Sequence, residues 1–276
     1  MTKNTVLTFQ QKKREGQKIT VLTSYDYTMA KLVNDAGIDA VLVGDSLGNV
    51  MLGLEDTVSV TMDDMVSHCK SVSLACDKAM VVVDMPFMSF QVSVPDTLKN
   101  AGRLMKEGRA NAVKLEGGTR VCPQIRALTE AGIPVMAHLG LTPQSINTFG
   151  GYKVVGKTKE TAERLLEEAL AVQEAGAFAL VLECVPYKLS ELVSKKLQIP
   201  TIGIGSGAGC DGQILVAQDM LGMTHGFSPK FVKVFAPVGD MIKTAISDYI
   251  NEVENGTYPN EDYSYSMGDE IIETLY

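Results

Sequence analysis

Apolar residues in this chain fall into short continuous runs, separated by longer stretches in which they recur every three to four positions. The runs predict buried parallel strands at Ile19–Thr23, Ala40–Val43, Met80–Val83, Ala112–Leu115, Pro134–Ala137, Phe178–Leu182 and Thr201–Ile204. An eighth strand is expected at either Gln213–Ala217 or Phe231–Val234. Between the runs, Leu98, Ala101, Leu104 and Met105 mark the apolar face of one helix, and Ala162, Leu165, Leu166 and Ala169 that of another. Asp35-Ala36-Gly37, Lys106-Glu107-Gly108, Glu130-Ala131-Gly132 and Glu174-Ala175-Gly176 each precede an apolar run, and each reads as a helix ending at a glycine cap. No Pro- or Ser-rich linker divides the series. Eight strand–helix units in 276 residues predict an α/β protein, a (β/α)8 TIM barrel, as a single domain over 1–276. A polar helix within 1–18 is expected to close the bottom of the barrel. The end of the chain, 255–276, is acidic and rich in tyrosine (Tyr258, Tyr263, Tyr265, Tyr276), with no Lys or Arg, and reads as a tail that is mobile or docked on a neighbour.

Charge narrows the classes of function. A formal net charge of -8 offers no basic stripe for phosphates, which excludes a nucleic-acid surface and disfavours anionic membranes. Apolar runs such as Ala177 to Leu182 fall far short of the ~20 residues of a membrane span, and no signal-peptide core is present, so a cytoplasmic protein is expected. Five cysteines, with no CxxC pair, encode neither a disulfide framework nor a thiolate zinc site.

In a barrel the chemistry sits where strands end. The predicted ends are Ser24-Tyr25-Asp26, Gly44-Asp45-Ser46, Asp84, Lys114 with Glu116, His138, Glu183 and Ser206. Asp45 and Asp84 follow neighbouring strands, and two carboxylates that close repel unless a cation separates them. Oxygen ligands completed by water suit Mg2+ better than Zn2+. The ordinary alternative is that each Asp caps the next helix. Lys114 and Glu116 share the inner strand face, where Lys114 suits a substrate carboxylate, a Schiff base, or a plain ion pair with Glu116. Glu183, alone in an apolar stretch, suits a general base. The glycines Gly203, Gly205, Gly207 and Gly209 suggest a phosphate cradle or a tight turn, without the GxGxxG spacing.

Several stretches together resemble the ketopantoate hydroxymethyltransferase family: KITVLTSYD (18–26), VLVGDSLGNVMLG (41–53), VVVDMPFMSF (81–90), AVKLEGG (112–118), AHLGLTPQSINTFGGYKVVG (137–156), LVLECVP (180–186), TIGIGSGAGCDGQILV (201–216) and SPKFVKVFA (228–236). The resemblance implies transfer of a one-carbon unit from 5,10-methylenetetrahydrofolate to 3-methyl-2-oxobutanoate through a Mg2+-stabilised enolate, giving 2-dehydropantoate, the first step of pantothenate synthesis. It implies Asp45 and Asp84 as metal ligands, Glu116 as a water-mediated metal partner, Ser46 and Lys114 as contacts to the substrate carboxylate, and Glu183 as the base. Asp45 and Asp84 would also meet the substrate, with His138 and Ser206 in support. It implies further a homodecamer of two stacked pentameric rings. Two positions depart from the expected pattern: Ser206, where alanine is expected, and Leu54, where a polar or aromatic residue is.

Other readings stay open at this point. A metal-dependent lyase or mutase of the phosphoenolpyruvate and isocitrate type would share the strand-end acids, but typically carries a KKCG-type cysteine loop that this chain lacks. A Schiff-base aldolase using Lys114 and a non-catalytic ligand-binding barrel are the remaining alternatives.

Overall fold

Eight parallel strands close on themselves in chain order, each paired with the next and the last with the first. The computed structural model describes residues 3–151, 153–224, 226 and 229–275. Tyr152, Ser228 and Tyr276, which occur in the stretches quoted above, lie outside the described residues. The strands are β1 (Ile19–Thr23), β2 (Ala40–Val43), β3 (Met80–Asp84), β4 (Ala112–Glu116), β5 (Val135–Gly140), β6 (Ala179–Glu183), β7 (Thr201–Ile204) and β8 (Gly212–Leu215). The helices are α1 (Val6–Arg14), α2 (Tyr27–Asp35), α3 (Leu47–Val50), α4 (Met62–Ala75), α5 (Val94–Lys106), α6 (Cys122–Glu130), α7 (Ile146–Phe149), α8 (Lys159–Glu174), α9 (Tyr187–Lys196), α10 (Ala217–Met220), α11 (Val238–Glu254) and α12 (Asp269–Glu273). The expected (β/α)8 barrel is therefore the fold, and the first of the two candidate segments supplies the eighth strand. Among the described residues no helix is long and apolar enough to cross a membrane.

Strand parity explains how the barrel is packed and where its chemistry lies. Successive side chains alternate between the two faces of a strand. Val41, Val83, Val113, Leu115, Ala137 and Leu180 point outward into the layer shared with the helices. Val21, Leu42, Val82, Ala112, Met136 and Ile202 point inward and form a separate apolar cluster inside the barrel. Phe9 of α1 joins that inner cluster, fully buried, with its ring edge-on to Phe178 at 5.6 Å. The N-terminal helix thus plugs the bottom, as expected. Following the inward parity upward, apolar residues give way to Asp84, Lys114, Glu116, His138 and Glu183.

Three of the four glycines read as helix caps, Gly37, Gly132 and Gly176, have the left-handed backbone that such caps need. After α5 the left-handed residue is instead Arg109, at φ 61. Gly108 serves close packing: a Cβ there would lie 2.6 Å from the Leu104 carbonyl and 3.2 Å from Cys69.

The chain divides into two compact units, one of Met1–Ala217 with Ser228–Val232 and one of Gln218–Phe227 with Lys233–Tyr276. The barrel forms the first. The second contains α11, none of whose residues is buried, and part of the tyrosine-rich tail. There Tyr258 packs between Tyr249 and Tyr263, with ring centroids 5.7 and 5.6 Å away.

Candidate active site

Register brings the inward polar residues together at the C-terminal mouth. Asp84 pairs with Lys114 across β3 and β4, and Glu116 pairs with His138 across β4 and β5. The Lys114 ammonium lies 2.9 Å from Asp84 Oδ1 and 3.2 Å from His138 Nδ1. His138 stands between two acids, with Nδ1 3.4 Å from Glu116 Oε1 and Nε2 3.3 Å from Glu183 Oε2. The main-chain N–H of Asp45, two residues beyond β2, donates to Asp84 Oδ2 at 3.1 Å. Ser46 shares a 2.8 Å hydrogen bond with the hydroxyl of the buried Tyr25. One connected cluster therefore holds Asp45, Asp84, Lys114, Glu116, His138 and Glu183, with Ser46 next to Asp45 in the chain.

Several local features fix this arrangement. Gln144, in the turn Pro143–Ser145, donates its side-chain amide to Asp45 Oδ2 and to the Met85 carbonyl, both at 2.9 Å. Its main-chain N–H donates to Glu116 Oε2 at 3.0 Å. Gly140 has φ 95, and a Cβ there would stand 2.1 Å from the Glu183 carbonyl oxygen. Cys184, directly after Glu183, holds a left-handed backbone at φ 51, uncommon for a residue with a side chain. Ser206, the residue that departs from the expected alanine, is fully buried; it donates to the Leu182 carbonyl at 2.7 Å and accepts from the Val185 N–H at 3.1 Å. It therefore braces the segment that carries Glu183 and does not face the cluster of acids through its hydroxyl.

Burial sets the electrostatics. It raises the Asp45 carboxyl well above the usual carboxylate range, and the charges of Asp84 and Glu116 push the same way. Burial also raises Asp84, against the pull of Lys114. For Glu116 burial is outweighed by the hydrogen bond and charge of His138, together with Lys114, and its carboxyl falls below the ordinary value. Burial disfavours the Lys114 ammonium, yet Asp84, Glu116 and Asp45 hold it above its ordinary value. Burial and Lys114 oppose a charged His138, but Glu116 and Glu183 prevail and raise it to about 9.

These residues fit a divalent cation. Asp84 Oδ1 is buried and, although Lys114 lies close, no donor among the described residues is aligned to hydrogen-bond it. Four carboxyls, Asp45, Asp84, Glu116 and Glu183, face two cationic groups, Lys114 and His138; fully ionised, the cluster lacks two positive charges. Among the described residues no three His, Cys, Asp or Glu side chains are grouped to enclose a metal alone. The Asp45–Asp84 pair offers carboxylate oxygens, the donor type Mg2+ takes, commonly one or two carboxylates completed by water and substrate oxygens. Glu116 has both oxygens engaged, by His138 and by Gln144.

The helix-capping alternative fails for both Asp45 and Asp84, although it describes Asp26. Asp26 is the N-cap of α2, accepting from the Met29 N–H at 2.9 Å. Asp45 and Asp84 cap nothing. The ion-pair partner of Lys114 is Asp84 and not Glu116, because register sets Lys114 opposite Asp84. At Gly207 and Gly209 the glycines after β7 admit close packing, since a Cβ would meet Tyr187 at 2.4 Å and Glu191 at 2.7 Å. Gln144 carried no signal that singled it out in sequence.

Comparison with known proteins identifies the family. A family model described as ketopantoate hydroxymethyltransferase matches residues 3–261. The 3-methyl-2-oxobutanoate hydroxymethyltransferase of Clostridium novyi (strain NT) is 59% identical over 99% of this chain and 100% of its own length. That of Enterococcus faecalis (strain ATCC 700802 / V583) is 57% identical over the same shares. Among solved structures, phosphonopyruvate hydrolase in complex with oxalate and Mg++ superposes with a TM-score of 0.62 at 14% identity, covering 100% of this chain and 95% of the other. A 2,3-dimethylmalate lyase of the PEP mutase/isocitrate lyase superfamily superposes with a TM-score of 0.60 at 16% identity, covering 99% and 91%. Likeness at that identity is a likeness of fold. The sequence relationships are far closer, and on them the chain belongs to the ketopantoate hydroxymethyltransferase family, a family of transferase enzymes.

Proposed function

We propose that this chain transfers a hydroxymethyl unit from 5,10-methylenetetrahydrofolate to 3-methyl-2-oxobutanoate, forming 2-dehydropantoate and tetrahydrofolate, and so supplies pantothenate synthesis. The observation that carries the reading is the juxtaposition, in one buried mouth, of the Asp45–Asp84 pair, the Lys114 ammonium and the His138–Glu183 contact. Family membership points to the same substrates.

Asp45 and Asp84 would hold Mg2+, with Glu116 behind them. Bound there, Mg2+ supplies a Lewis acid that draws charge toward the keto oxygen of the substrate. Lys114 and Ser46 contribute a cation and a hydroxyl for the substrate carboxylate, fixing which end of the oxo acid enters. Glu183, whose side chain is 15% exposed, takes the C3 proton, and the electron pair of that C–H bond becomes the enolate. His138, with Nε2 3.3 Å from Glu183 Oε2, would steady the Glu183 side chain. C3 then bonds to the one-carbon unit, whose bonds to folate nitrogen break, and one water supplies the hydroxyl oxygen. Folate leaves as tetrahydrofolate.

An assay of 2-dehydropantoate from 3-methyl-2-oxobutanoate and methylenetetrahydrofolate tests the reading. Product that forms with Mg2+ and vanishes with EDTA supports it; no product under either condition contradicts it.

The same reading includes a cytoplasmic homo-oligomer, a homodecamer by family likeness. Supporting it is α11, which exposes Met241, Ile246 and Tyr249, each more than half exposed. Light scattering should give a mass well above that of one chain, and a monomer at working concentration would rule the assembly out.

A further inference from the structure

Gln144 has no part in the chemistry proposed above, yet its side-chain amide makes three hydrogen bonds beside the acids. It is 4% exposed, so these bonds are not exchanged for water. One amide nitrogen donates to two acceptors on different strand-end segments, Asp45 Oδ2 after β2 and the Met85 carbonyl after β3. The amide oxygen accepts from Gln91 Nε2 at 3.3 Å, and the main chain separately holds Glu116. Asp45 Oδ2 is thereby occupied, which leaves Oδ1 as the oxygen that Gln144 does not engage. On the neighbouring acid, Oδ2 is occupied by the Asp45 N–H, and Oδ1 faces the Lys114 ammonium at 2.9 Å without an aligned donor.

We propose that Gln144 is a positioning residue that turns the Asp45 carboxylate so that one oxygen from Asp45 and one from Asp84 are presented together to a divalent cation. The inference rests on the metal reading above. Partners that orient a metal ligand typically contribute 10- to 100-fold in affinity. A glutamine side chain suits the task because its nitrogen offers two hydrogens in one plane, enough for both acceptors, and carries no charge to compete with the cation.

Gln144→Met keeps length and the main-chain bond to Glu116 while removing the amide. Binding of Mn2+, followed by its EPR signal and by calorimetry with Mg2+, should weaken by roughly 10- to 100-fold, with circular dichroism unchanged. Gln91→Met, at an exposed position, removes only the outer bond and should weaken binding less, in the same direction. A folded Gln144→Met protein that binds Mn2+ as wild type does would overturn the inference while leaving the metal reading standing. Wild type that binds no Mn2+ would overturn both. If Gln144→Met does not fold, Gln91→Met decides: weakened binding supports the inference, and unchanged binding overturns it.

Discussion

The Asp45 N–H donates to Asp84 Oδ2 at 3.1 Å, so the two acids are joined through the backbone of one and the carboxylate of the other. Their side chains would repel if both were charged. Burial instead raises both carboxyls, and Asp45 is raised well above the ordinary value.

A cation binding between them favours the ionised form of both acids. Because burial and the neighbouring acids raise the Asp45 carboxyl, affinity for Mg2+ should fall as pH falls and binding should release protons. Calorimetry in buffers of different ionisation enthalpy measures the release. Asp45→Asn and Asp84→Asn should each abolish tight binding. Proton-independent binding would contradict the account.

At the other end of the barrel, Phe9 fills the inner cluster from α1 with no exposed surface. Phe9→Ala should cost about 3–5 kcal/mol of stability, as large-to-small changes at well-packed sites do. Denaturant unfolding measures it. Because the plug lies beneath the apolar layers and far along the inward parity from Asp84, KM for the oxo acid should stay at the wild-type value.

Gly140 tests the mouth. A methyl group there would press on the Glu183 carbonyl, at a backbone φ of 95 that other residues rarely adopt. Gly140→Ala should cost more than about 1 kcal/mol and lower kcat by moving Glu183. Retention of wild-type kcat would show that the position of Glu183 tolerates the shift.

Much of this was legible because strands of a barrel are buried on both faces and read as apolar runs. The ends of those runs were set one residue early at Asp84, Glu116 and Glu183, since a polar residue ends an apolar run while the backbone ladder continues through it. The eighth strand was ambiguous because Gly212–Leu215 is short and its Gln213 is exposed, so no continuous run marks it. The partner of Lys114 needed the register, which residue order along one strand does not contain. Gln144 was invisible for a related reason: a glutamine in a turn has no periodicity, and its value comes from three segments that meet only in the folded barrel. Asp26 and Asp45 look alike in sequence, each close after an apolar run, and only the geometry separates a helix cap from a site acid.

The central claim is that Glu183 takes the C3 proton of 3-methyl-2-oxobutanoate beside the Asp45–Asp84 pair, and proton removal can be measured apart from one-carbon transfer. With Mg2+ in D2O and no folate present, wild type should exchange the C3 proton, followed by NMR. Glu183→Gln keeps size and polarity but cannot accept the proton, so exchange should fall by about 10² to 10⁴, as for a lost general base, while the oxo acid still binds. Exchange by Glu183→Gln at the wild-type rate would contradict the assignment and move the role of base to another residue of the cluster.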